Sequence, residues 1–235
     1  MSRTAIGLPV RAVLFDLDGT LVDSVADLAA AVNAVLAGHR EAPLPVGAVR
    51  GMVGNGIAKL VERAFAASGK PLEGQTLDEA VAEMMDAYQG CLTERTVLMP
   101  GAVDAVESLR EAGLLLGLVT NKPQDATGAI MDHFGLAARF GVIVGGRADL
   151  ARKPAPDMLL AALAQLSVDP ENAVMVGDSA IDVEAARNAC VRSVLVRGGY
   201  AEADPDTLGA DIVIDNLTAL AEALLAPRDV TNAIA

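Results

Sequence analysis

From residue 101 onward the chain alternates short apolar runs with amphipathic stretches, and this alternation restricts the fold more than any other feature. Strands are expected over 114–120, 141–144, 173–176, 193–196 and 211–214. Helices are expected over 102–112, 124–134, 155–166, 180–189 and 217–225. Strands separated by helices of this length point to a parallel sheet, because a parallel pair needs a crossover and the crossover helices cover both faces. Sheets of this kind place their sites at the carboxyl ends of strands.

Val13-Leu14-Phe15 reads as a further buried strand that breaks into the polar turn Asp16-Leu17-Asp18-Gly19-Thr20. Beyond it, Ser24 and Asp27 have the spacing of a capping box. Val25, Leu28, Ala29, Val32 and Leu36 follow at helical intervals, and Gly38 closes that helix. No strand is expected between there and residue 90. Pro43, Pro45, Gly47, Gly51, Gly54 and Gly56 mark a loop-rich stretch, and helices follow over 57–67 and 77–89. The expected organisation is an α/β core of residues 1–20 and 93–235 with helices on both faces of its sheet, and an inserted α-helical domain at 23–90. Residues 227–235 are expected to fray.

Composition narrows the partners. The 18 Lys and Arg against 31 Asp and Glu leave a net charge of −13, which excludes general electrostatic binding of nucleic acid. Aromatic residues are 3% with no Trp, so a base-stacking platform is not expected either. A bound cation and local basic groups still permit an anionic small molecule. Cys91 and Cys190 have neither metal-type spacing nor a disulfide framework. The longest apolar runs, at 28–38 and 158–168, are shorter than the roughly 18 residues a membrane span needs. The apolar start at 5–10 is broken by Arg11 and Asp16, and reads as the approach to the first strand, not as a leader. A cytoplasmic protein without a membrane partner is expected.

Four polar motifs lie at or just beyond strand ends: Asp16-Leu17-Asp18-Gly19-Thr20, Thr120-Asn121-Lys122, Arg152-Lys153-Pro154, and Gly177-Asp178-Ser179 with Asp182. Asp16 and Asp18 repel each other at the end of a buried strand. That arrangement makes sense with a cation between them, or with one carboxyl kept protonated as an acid. Asp178 alone is equally a helix N-cap; with Asp16 and Asp18 it becomes a third oxygen donor, which suits Mg²⁺. Asp182, one turn further on, either orients that site or lies on the surface. Thr120 offers a hydroxyl and neighbouring N–H groups at a helix entrance, an anion cradle or equally a simple cap. The claim of Lys153 rests on position, after a short loop and before a helix expected to begin at Pro154.

Phe15-Asp16-Leu17-Asp18-Gly19-Thr20-Leu21-Val22-Asp23-Ser24, Thr120-Asn121-Lys122, Lys153-Pro154 and Gly177-Asp178-Ser179-x-x-Asp182 resemble, in order, the four motifs of the haloacid dehalogenase-like hydrolase superfamily. The insertion resembles its helical cap of the first type, for which the 104 residues from Asp16 to Thr120 leave room. The resemblance implies a Rossmann-like core beneath a cap. It implies Asp16 as a nucleophile that forms an aspartyl phosphate, and Asp18 as acid, then base. It implies Mg²⁺ on the Asp16 carboxylate, the Asp18 backbone carbonyl and Asp178, supported by Asp182 and Ser179. Thr120 and Asn121 would hold the phosphorylated substrate, and Lys153 would pair with Asp16 and the phosphate.

Asp18 sorts the members of this superfamily. Dehalogenases lack it, and so do phosphonatases, which need a Schiff-base lysine in the cap; Lys59 and Lys70 are candidates by type only. Hexose phosphate mutases keep both aspartates. Val53-Gly54-Asn55-Gly56 followed by Leu60-Val61-Glu62-Arg63-Ala64-Phe65 resembles the cap of the bacterial phosphoglycolate phosphatase family, a pattern shared with related phosphatases. Gly54, Asn55 and Gly56 would offer backbone N–H groups at a helix entrance, and Arg63 would offer a bidentate partner for a carboxylate. Arg63 is equally a solvated helix residue. The expected function is Mg²⁺-dependent hydrolysis of a small phosphorylated metabolite, 2-phosphoglycolate first. The alternatives are a sugar-phosphate phosphatase, a hexose phosphate mutase, or a module that binds a phosphorylated ligand without turnover. A monomer or homodimer is expected.

Overall fold

Every residue of β1 (Ala12–Phe15) is buried, which suits a strand flanked on both edges and covered on both faces. The structure, a computed structural model, describes residues 10–201 and 203–225. The expectations for 5–9 and for fraying at 227–235 fall outside the described residues.

After β1 come β2 (Val22–Asp23), α1 (Val25–Gly38), α2 (Val46–Arg50), α3 (Ile57–Ala67), α4 (Gly74–Gln89) and β3 (Val97–Leu98). The chain continues through α5 (Ala102–Glu111), β4 (Leu115–Pro123), α6 (Gln124–His133), β5 (Val142–Gly146) and α7 (Asp157–Leu166). It closes with β6 (Ala173–Gly177), α8 (Ala180–Asn188), β7 (Arg192–Val196), β8 (Ile212–Ile214) and α9 (Leu220–Leu225). Six strands form one parallel sheet in the order β5-β4-β1-β6-β7-β8. The chain runs outward from β1 through β4 to β5, then returns to β6 on the other side of β1. That reversal opens a crevice at the carboxyl ends of β1, β4 and β6.

Alternation along β1 divides the core between the two faces. Val13 and Phe15 pack with Val106 and Leu109 of α5, Ile130 of α6 and Leu220 of α9. Ala12 and Leu14 pack with Leu159 and Leu163 of α7 and with Ala185 and Ala186 of α8. The α/β class and the two covered faces agree with the sequence reading.

Between β2 and β3, α1 to α4 share a separate buried cluster that includes Leu28, Val32, Leu60, Phe65, Met84 and Tyr88. The two-residue strands β2 and β3 pair antiparallel where the chain enters and leaves this helical segment. They are too short to register as a period in the sequence, as is the five-residue α2.

Three local expectations are corrected. The helix expected from Pro154 or residue 155 begins at Asp157, because Pro156 disfavours helical backbone at Ala155. β4 runs on through Thr120, Asn121 and Lys122 instead of ending at 120. These polar residues are buried, so the apolar run understates the strand. Ser24 makes no side-chain cap on α1: its hydroxyl is committed to Asp18, and Asp27 accepts from the far end of the helical segment.

Candidate active site

The carboxyl end of β1 supplies the first functional group. Asp16 N donates to Val176 O at 2.9 Å, so its backbone still belongs to the sheet and its carboxyl group is held at the crevice. The next turn is closed on Leu17 O, which accepts from the N–H groups of Thr20, Leu21 and Val22. Gly19 in this turn has φ +83°, and a Cβ there would overlap the Asp178 carboxylate. Asp178 follows β6, where its Oδ2 accepts from Tyr200 N at 2.6 Å. Thr20 Oγ1 lies 3.4 Å from the other oxygen.

Two buried lysines meet these acids. Lys153 Nζ lies 2.7 Å from Asp182 Oδ1 and 2.9 Å from Asp16 Oδ1. The second contact is an ion pair off the hydrogen-bonding direction, so Asp16 Oδ1 keeps no hydrogen-bond donor. Asp182 Oδ2 accepts from Ser179 Oγ at 2.6 Å and Ser179 N at 3.2 Å, so both Asp182 oxygens are occupied. Lys122 Nζ lies 2.9 Å from each Asp18 oxygen, and Ser24 Oγ donates to Asp18 Oδ1 at 2.5 Å.

Burial pushes the Asp16 carboxyl up to about 6; Lys153 pulls it down, and Asp182 pushes it up again. Burial, reinforced by Asp182 and Asp16, raises Asp178 well above the usual carboxylate range. Burial works against the charge on Lys122, but Asp18 outweighs it and the ammonium is held above its ordinary value. Asp16 and Asp182 do the same for Lys153.

Ligand atoms of Asp16, Asp178 and Asp182 all lie within 4.8 Å of one another. With Asp182 already committed and Asp16 Oδ1 lacking a donor, Asp16 and Asp178 are the oxygens with capacity left. A hard divalent cation such as Mg²⁺ fits that donor set.

Asp16, Asp18, Thr120, Asn121 and Asp178 line one cavity of about 250 Å³ with Gly54, Asn55, Gly56 and Arg63. Thr120 is buried, and its hydroxyl lies 3.3 Å from Lys122 N. Asn121 Nδ2 donates to Gly54 O at 3.0 Å and to Lys153 O at 2.9 Å, tying the helical segment to the sheet. Arg63 is partly spent, donating to Met52 O at 2.9 Å and Asn55 Oδ1 at 2.8 Å. Lys59, on the same helix, pairs with Glu62 at 2.6 Å.

The motifs contained Lys122 and Ser24 without showing their roles. Alternation along β4 was the available signal, since it puts Thr120 and Lys122 on one face. Tyr200 carried no signal. It lies in the loop after β7, where its N–H holds Asp178 while its hydroxyl donates to Asp23 at 2.8 Å and accepts from Ser24 N at 2.7 Å.

A parallel sheet with acids and lysines gathered at the ends of three neighbouring strands, roofed by a helical segment, is the architecture of an α/β enzyme with its site at the carboxyl ends of the strands. The family model for haloacid dehalogenase-like hydrolases matches residues 10–189. The chain belongs to that family, and within it to the bacterial phosphoglycolate phosphatase group. Phosphoglycolate phosphatase of Caulobacter vibrioides is 41% identical over 202 residues, covering 86% of this chain and 85% of its own. A predicted phosphoglycolate phosphatase of Haemophilus somnus 129pt, known as a crystal structure, superposes with a TM-score of 0.84 at 27% identity, covering 91% of this chain and 97% of its own. CbbY of Rhodobacter sphaeroides, solved in complex with phosphate, gives a TM-score of 0.76 at 26% identity over 90% of this chain and 96% of its own.

Proposed function

We infer that this chain hydrolyses phosphate monoesters of small metabolites, with 2-phosphoglycolate, cleaved to glycolate and phosphate, as its first substrate. The observation that carries the reading is Asp16 at the end of β1, which shares the wall of a cavity of metabolite size with Asp178 and is paired with Lys153 at 2.9 Å. A carboxylate needs no base to become a nucleophile once its proton is gone. An Asp16 oxygen attacks phosphorus in line as the bond to the glycolate oxygen breaks, and Asp18 gives that oxygen a proton. Asp18 then takes a proton from the water that hydrolyses the aspartyl phosphate, which returns Asp16 and releases phosphate. Thr120 and Lys153 hold the phosphoryl oxygens. Asp16, the Asp18 carbonyl and Asp178 would hold Mg²⁺, which supplies charge that offsets repulsion between carboxylate and phosphate. Asp182 and Ser179 stand behind this set, fixing Lys153.

Residues 23–90 read as a cap that closes over the phosphate and meets the organic part of the substrate. The Gly54-Asn55-Gly56 turn at the entrance of α3 and Arg63 line the cavity and would receive the glycolate carboxylate. The test is a panel of phosphate esters ranked by kcat/KM with Mg²⁺ present, together with acid trapping of labelled enzyme. Phosphoglycolate should rank first, the label should sit on Asp16, and Asp16→Asn should abolish turnover. Label on a Ser, Thr or His would overturn the mechanism. A sugar phosphate ranked first would overturn the substrate.

A further inference from the structure

Asp18 is the most tightly gripped acid in the cavity, and the group that grips it has no part in the chemistry above. Lys122 is buried at the end of β4 and places its ammonium on both Asp18 oxygens at 2.9 Å. The ring of Tyr88 covers it, with its centroid 4.7 Å from Nζ. Tyr88 is on α4, on the buried stripe it shares with Ala80 and Met84. The ring attracts the charge of the buried ammonium. Ser24, where the chain enters the helical segment, adds the bond to Oδ1.

The donors are shared unequally between the two oxygens. Oδ1 accepts from both Ser24 Oγ and Lys122 Nζ, whereas Oδ2 accepts from Lys122 Nζ alone. A carboxylate oxygen has two lone-pair sites, so Oδ1 is filled and Oδ2 has one left. We propose that Lys122, backed by Tyr88, is a positioning residue that fixes the Asp18 carboxyl group with Oδ2 as the oxygen that exchanges a proton with the leaving group. The cradle joins β4 to both ends of the helical segment, so the orientation of Asp18 depends on α4 being seated. The proposal rests on the reading of Asp18 as the acid.

The experiment compares kcat/KM for phosphoglycolate, whose alkoxide leaving group needs a proton, with p-nitrophenyl phosphate, whose leaving group does not. Asp18→Asn should slow phosphoglycolate by about 10²–10⁴-fold and p-nitrophenyl phosphate far less. Lys122→Met should slow phosphoglycolate by about 10–10²-fold, the scale of a misplaced catalytic group, with the same selectivity. Ser24→Ala, a milder change, should shift the ratio in the same direction. In the double variant Asp18→Asn/Lys122→Met the lysine should have no further effect, because its only route to the reaction has been removed. Loss on both substrates alike, or an undiminished lysine effect in the Asp18→Asn background, overturns the positioning role and makes Lys122 a phosphate ligand or a packing residue. If Asp18→Asn itself slows both substrates equally, it is the acid assignment that falls, a result readable before any lysine variant is made.

Discussion

In the proposed reaction Asp16 meets two demands that conflict: it is buried, yet must be ionised to attack. Burial lifts its carboxyl to about 6 although Lys153 stands beside it. Below that pH the nucleophile carries a proton, so kcat/KM should fall about tenfold per pH unit on the acid side. A cation and a proton compete for the same oxygens, so raising Mg²⁺ should move this limb to lower pH. Profiles at two Mg²⁺ concentrations check both statements, and a limb that ignores Mg²⁺ would assign it to another group. The same shift acts on stability. The folded chain holds the Asp16 proton more tightly than the unfolded chain does. The contribution is therefore complete below the ordinary aspartate value near 3.8 and is lost as pH rises through about 6.

At the scale of elements, the two ends of the helical segment are tied to each other by one side chain. Asp27, in the first turn of α1, is fully buried and accepts from Arg95 N at 3.0 Å, Thr96 N at 2.8 Å and Thr96 Oγ1 at 2.7 Å. These donors lie on the strand of chain that leads back to β3, so Asp27 joins the outgoing and returning linkers across the β2–β3 pair. Asp27→Ala would leave buried donors unpaired and should lower stability by about 2–4 kcal/mol. Urea denaturation measures this, and an unchanged midpoint would show that the linkers hold without it. The spacing of Ser24 and Asp27 is that of a capping box, but both side chains bond elsewhere. Local spacing cannot report a competing partner 69 residues further along the chain.

At the scale of the whole molecule, the proposed substrate choice depends on how the Val53–Gly56 turn meets the sheet. Asn121 holds the turn through Gly54 O, and two Arg63 N–H groups brace it from within. A guanidinium has five N–H donors, so Arg63 retains three for a substrate carboxylate. Arg63→Ala should therefore lower kcat/KM for phosphoglycolate at least about tenfold more than for p-nitrophenyl phosphate, which has no carboxylate. Equal losses would confine Arg63 to bracing the turn.

The alternation of strands and helices, the position of the helical segment after β1, and the polar motifs beside the strand ends were all legible in the sequence. Each is written in neighbouring residues: apolar periodicity is local, and a polar run that interrupts an apolar one stands out wherever it falls. The pairing of those groups was decided only by the tertiary structure. Asp18 meets Lys122 across 104 residues and Ser24 meets Tyr200 across 176, and no period of 2 or 3.6 reaches so far. The strand order brings the ends of β1, β4 and β6 side by side, and the Tyr88 end of α4 meets the Lys122 end of β4. Those two placements decide which acid each lysine holds and which oxygen of Asp18 is left free.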